Sequence, residues 1–270
     1  MLPKDSLFSE AFLLSFLKNC RIPSFSLAHL KYFHYLCTDN FNILEKMAYY
    51  TDNELQLMKN NFITLLRSTN RPNIEKLIQY LETCTDFFTA PASRYDHNDF
   101  KGGLLAHSLN TYKAAVNLTA MSRALANKDF PQTALTDDSV IICSLLHDIC
   151  NVNINKEAYK FFKDDMNNWR KYLSYEDCNN FPLGHGEKSV FIIMSFITLT
   201  PQEACAIRWH MGSTISASYL STSDRHDMKL AMNTSLLVSV IMYANSFAKT
   251  VMERAYDQKI TNEVPRDLIV

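Results

Sequence analysis

The stretch VIICSLLHDICN, residues 140–151, sets a histidine beside an aspartate in an otherwise apolar run. Val140, Ile141, Ile142, Leu145, Leu146 and Ile149 leave no polar stripe at helical spacing, and a helix that is apolar all round is a buried one. Burying an ionised Asp148 without a partner costs several kcal/mol or forces the carboxyl to become neutral. Something must therefore stand against His147 and Asp148. The glycines point to the partners. The chain has five, Gly102, Gly103, Gly184, Gly186 and Gly212, and each lies within five residues of His107, His185 or His210. Glycine serves where backbone turns tightly or is closely approached. Several imidazoles and one carboxylate suit a divalent ion such as Mn, Fe, Ni, Co or Zn, and such an ion would keep Asp148 ionised. No serine or cysteine nucleophile accompanies the set. Cys143 and Cys150 flank the pair in apolar surroundings, where packing is expected rather than reactivity.

A His-Asp dipeptide alone is weak, because about one is expected by chance in a chain of this composition. His226-Asp227, within the polar STSDRHDMK, is an internal control and reads as a solvated loop without function. The chemistry rests on the joint pattern of buried carboxylate, helix-end histidines and glycines.

The elements that must position these residues read as helices. IEKLIQYLETCTDFF, after Pro72, is amphipathic. TAPASRYDHNDFKGG is a loop, and the long helix that follows lines Leu104, His107, Thr111, Ala114, Leu118, Met121 and Leu125 along one face. Pro131 marks a break, and Thr136 or Asp137 can cap the buried helix. Residues 151–183 lack clean helical periodicity and are expected to form short helices in a lid-like excursion. A helix opens at His185. The next begins with Thr200 as cap, Pro201 at the first position and Glu203 completing a capping box, and ends at Gly212, with His210 in its last turn. A final helix is expected over 229–253. Five glycines in 270 residues, with no strand-rich stretch and no repeat, fit an all-α chain.

Composition bounds the rest. The chain is 47% hydrophobic and 20% charged, enough for a real core, and its net charge of -1 offers no overall nucleic-acid footprint, although a local patch is not excluded. Seven cysteines without a C-x-x-C pair argue against a disulfide framework and for reduced thiols in a cytoplasmic protein. The start resembles a signal peptide only superficially, since Asp5 and Glu10 interrupt it. No run of eighteen apolar residues occurs, so no membrane span is expected.

In chain order, GGLLAHSL, SLLHDIC, PLGHGEKS and AIRWHMG resemble the HD-domain metal-dependent phosphohydrolases. The likeness is to a bacterial and phage branch written H-x4-GGLLxHSL, LLHDxCK, PLGHGEKS, AIRWHMG and a closing AD, and it covers residues 96–248. It implies an HD-domain helical bundle over 71–258, with additional N-terminal helices in 1–70 and a tail at 259–270. It implies one or two divalent ions per chain, drawn from Mn, Fe, Ni, Co, Zn or Mg, and a phosphate ester or nucleotide as substrate. His107, His147 and Asp148 match the core ligands, with His147 and Asp148 the catalytic pair. His185 and His210 match the histidines that complete a second ion or meet the phosphate. His97 matches a histidine that touches substrate, and Lys188, one helical turn beyond His185, is a candidate for a phosphate oxygen.

This chain departs from that pattern at three places. The closing aspartate falls on Asn245, which offers a carbonyl oxygen without charge. The lysine usual after the HD pair is Asn151, leaving Lys156 or Lys160 to reach a phosphate. Ser213, Thr214 and Ile215 stand where relatives often carry an aspartate. Two functions are therefore expected: a hydrolase whose substrate is selected by Lys156, Lys160, Lys163, Arg170 and Tyr172, or an HD-fold module that binds metal or nucleotide with little turnover. A di-iron oxidative enzyme and a purely structural protein stand behind these.

Overall fold

The computed structural model describes residues 50–94, 97–125, 135–163, 167, 169–212 and 221–253, with the backbone alone at 162 and 170–174. The helices expected before residue 50, residues 213–215 and the tail at 259–270 lie outside the described residues. Those described are mostly helical.

Helix α1, Asp52–Ser68, starts at a reciprocal capping box between Thr51 and Glu54 and buries Leu55, Phe62, Ile63 and Leu66. Helix α2, Ile74–Thr83, buries Ile74, Leu77, Ile78 and Leu81, the i, i+3, i+4, i+7 stripe of an amphipathic helix. Although α1 falls within the 1–70 region, its Phe62, Ile63 and Leu66 share one core with α2 and the helices that follow. The loop after α2 reaches Gly102, whose φ of +81° turns the chain into α3, Gly103–Leu125. Leu104, His107, Thr111 and Ala114 face inward as expected, but Met121 and Leu125 are exposed because α3 runs on past the core.

Helix α4, Asp137–Leu146, is the centre of the core. Thr136 Oγ1 caps it by accepting from Ser139 N, and every residue from Ser139 to Leu146 is buried. A short 3-10 turn, Ile149–Asn151, follows the HD pair.

Residues 151–183 differ from the expected short helices. They carry a two-stranded antiparallel hairpin, β1 at Asn155–Lys163 and β2 at Trp169–Asp177, in register Asn155↔Asp177 through Lys163↔Trp169. Tyrosine, phenylalanine and tryptophan favour a pleated ribbon, and Tyr159, Phe161 and Trp169 project from it exposed. Cys178 N closes its base on Ile154 O at 2.8 Å.

Helix α5, His185–Met194, and α6, Pro201–Arg208, come next, and the Thr200/Glu203 capping box forms as the sequence predicts. The expected single C-terminal helix is two: α7, Thr222–Thr234, and α8, Leu236–Phe247, bent by 111° at Ser235. The sequence NTS at the break is poor helix material that competes for backbone hydrogen bonds, and Thr234 Oγ1 donates to Ala231 O at 3.0 Å. His226-Asp227 is exposed as expected, though on α7 rather than in a loop. A π-helical turn, Ala248–Met252, extends α8, with Glu253 N donating to Ala248 O at 3.0 Å. Among the described residues no single helix is long and apolar enough to cross a membrane.

Candidate metal centre

Four helices deliver the histidines. His107 lies in the second turn of α3, His147 caps the C-terminus of α4, His185 opens α5, and His210 follows α6. Their ring nitrogens converge on Asp148, which is 2% exposed. His185 Nε2 and His210 Nε2 lie 2.8 and 2.9 Å from Oδ1, while His107 Nε2 and His147 Nε2 lie 3.5 and 3.6 Å from Oδ2. One carboxylate thus stands between two pairs of imidazoles.

Helix ends fix the tautomers of two rings. The last turn of a helix has carbonyls without intrahelical donors. His147 Nδ1 donates to Ser144 O at 2.8 Å, and His210 Nδ1 donates to Ile207 O at 2.6 Å. A carbonyl only accepts, so in the neutral rings both Nε2 atoms carry lone pairs directed at Asp148. His107 Nδ1 is held by Glu253, with both carboxylate oxygens within 3.0 Å.

The same enclosure sets the charges. Burial holds His147 well below the usual imidazole value, and His210 and His107 push the same way against Asp148. Burial likewise lowers His210, outweighing the Asp148 carboxylate. Burial alone would raise the Asp148 carboxyl, but the positive charge that His147, His185 and His210 carry when protonated holds it well below the carboxylate range. Burial opposes charge on His185, yet the Cys150 contact and the Asp148 carboxylate raise it well above its usual value. His97 is pushed down to about 4, first by burial and then by His107 and Lys249.

This donor set fits a divalent cation. His210 Nε2 makes no hydrogen bond, and neither does the Oδ1 of Asn245, although both residues are buried. A bare imidazole nitrogen 2.9 Å from a carboxylate oxygen is two facing lone pairs, repulsive until a cation joins them. His107 Nε2 and His147 Nε2 are 3.0 Å apart. Two nitrogens each about 2.0–2.1 Å from one ion stand about 2.9–3.4 Å apart at ligand angles of about 90–110°. The ligand atoms of His107, His147 and Asp148, and those of Asp148, His185 and His210, lie within 4.8 Å of one another in each group.

The other expected residues divide. Asn245 reaches the site through Nδ2, which donates to His210 O at 3.1 Å. His97 packs edge-on against His107 with ring centroids 4.8 Å apart. Lys188 is buried, donates to Asn179 Oδ1 at 3.0 Å and lies over Phe181. Asn151 ties the site to the loop before α3, its Nδ2 donating to Ala92 O at 3.3 Å. Lys156 is exposed on β1.

Sequence reasoning missed two neighbours. Cys150 Sγ lies 3.4 Å from His185 Nδ1. Glu253 is 146 residues from the His107 it contacts, and nothing in the local run AKTVMER marks it. No family model, no curated protein and no solved structure matches the chain.

Proposed function

We propose that this protein is a metal-dependent phosphohydrolase of the HD type, acting on a nucleotide or another small phosphate ester. One observation carries the reading: a single buried carboxylate, Asp148, with His185 and His210 on one oxygen and His107 and His147 on the other. A bidentate carboxylate flanked by imidazoles is a natural cradle for one or two divalent ions. Such ions supply Lewis acidity toward a phosphoryl oxygen and lower the pKa of water.

The residues of the chain do the rest. His147 and His210 keep their Nδ1 protons on backbone carbonyls, so their Nε2 lone pairs stay available without a tautomer change. His185 is the most open member, its side chain 36% exposed against 2% or less for Asp148, His107, His147 and His210. It therefore marks the side from which a phosphate arrives.

A second reading is an HD-fold module that holds metal or nucleotide with little turnover. It is favoured by Asn245, a neutral amide bonded to the His210 carbonyl where the resembled family carries a carboxylate.

Metal analysis of chelator-free protein beside a His147→Ala/Asp148→Ala double variant tests both. The expected result is near-stoichiometric metal that the variant loses, with hydrolysis of p-nitrophenyl phosphate mono- or diesters by the loaded protein. Metal without hydrolysis would favour the binding module. No metal in either protein after soaking in Mn and Fe would overturn the hydrolase reading in favour of a binding or structural role.

A further inference from the structure

We propose that Glu253 is the second carboxylate of this centre: a positioning residue that holds the His107 Nδ1 proton and so aims the Nε2 lone pair at the Asp148 half-site. The inference rests on the metal reading above and deepens it. Its ground is geometric. The Glu253 side chain is 1% exposed, and its oxygens lie 2.9 and 3.0 Å from His107 Nδ1. Asn110 Nδ2, one turn along α3 from His107, donates to Oε1 at 3.1 Å. His97 Nε2 lies 4.0 Å from Oε2. A carboxylate gripping one ring nitrogen while the other faces a metal fixes the tautomer, orients the ring and makes it a better donor.

The backbone places Glu253 there on purpose-built geometry. Eight residues separate it from Asn245, and on a regular helix of 3.6 residues per turn it would point about 80° away from that inward position. The π turn Ala248–Met252, with its i→i+5 closure at Glu253 N, absorbs the additional residue. A buried carboxylate with only neutral donors around it is expensive, whereas one that reaches a divalent cation through an imidazole is compensated. With Asn245 neutral, Glu253 returns a negative charge to the centre from the far side of the His107 ring.

Imidazole nitrogen NMR on metal-free protein at pH 8 and zinc competition against a chromophoric chelator test this together. The His107 signals are assigned by their loss in His107→Gln. The expected result is a His107 proton on Nδ1 with Nε2 bare, and zinc binding weakened about 10–100-fold in Glu253→Gln at a nearly unchanged melting temperature. Glu253→Asp should recover part of the affinity. A merely structural Glu253 would lower the melting temperature and leave the zinc affinity of folded protein intact, which overturns the proposal. So does a His107 proton on Nε2. If the wild type binds neither zinc nor Mn or Fe, the hydrolase reading falls, and the NMR result alone decides the role of Glu253.

Discussion

Gly186→Ala is a single methyl group aimed at the joint between α5 and α6. A Cβ built there lies 2.2 Å from Arg208 O, 2.7 Å from Arg208 C and 2.8 Å from its Cα, all backbone atoms. Ordinary contact begins beyond 3 Å, so the two helices must part by roughly 1 Å. Forced overpacking of this kind costs about 1–3 kcal/mol, a fall in melting temperature of roughly 2–12 °C for a body of this size. The consequence for the site is larger. His185 is the residue before Gly186 and His210 lies two residues after Arg208, and they approach Asp148 Oδ1 at 2.8 and 2.9 Å. A shift of about 1 Å between their helices breaks the shared approach and should weaken metal binding by about 100-fold. Gly184→Ala is the control: its Cβ would meet the Glu187 carboxylate, the movable end of a side chain. It should change melting temperature and affinity little. The assay is zinc competition and thermal melting on both variants and the wild type. Wild-type affinity in Gly186→Ala, or equal damage in both variants, would refute the claim that this glycine sets the His185–His210 distance.

Asn245→Asp replaces a donor to His210 O with a carboxylate oxygen facing that carbonyl at 3.1 Å. Metal-free protein should lose about 1–3 kcal/mol while metal affinity rises, so melting curves with and without Mn should diverge more than for the wild type. Arg71→Met leaves the fully buried Glu203 with Ser139 Oγ at 2.7 Å and the Thr200 N–H at 2.8 Å but without its cation. Urea unfolding should show a loss of about 3–5 kcal/mol, with the metal affinity of folded protein unchanged. His97, held at about 4 by burial first, stays neutral when folded while its unfolded ring titrates near 6.5. The folded pKa is depressed, so its stabilising effect is complete above pH 6.5 and declines as pH falls to about 4. That gap is worth roughly 3 kcal/mol, and metal-free His97→Gln should show a correspondingly flatter acid limb in urea titrations between pH 7 and 4.

The sequence by itself determined whatever depends on near neighbours and periodicity. The Thr136 cap and the Thr200/Glu203 box are interactions over three residues, and they form. The all-apolar run around Val140 had to be buried, and with it His147 and Asp148, because no face could be left to water. The glycines beside His185 predicted a close approach of backbone, and Gly186 against Arg208 is one. The hairpin was less legible: its aromatic residues fit either a strand or a helix until pairing with a partner strand decides. The break at Ser235 was masked by apolar periodicity that continues on both sides of it.

Only tertiary structure decided which oxygen of Asp148 each imidazole meets, since the partners are 37 to 62 residues away for His185 and His210 and 41 for His107. It also decided that Arg71 would neutralise Glu203, 132 residues on, and that a π turn would carry Glu253 to His107. Such pairings follow from how helices pack, and packing is a property of all their faces at once. The residue types announced a candidate metal centre; the packing of four helices set two pairs of imidazoles around Asp148 and brought Glu253 against His107.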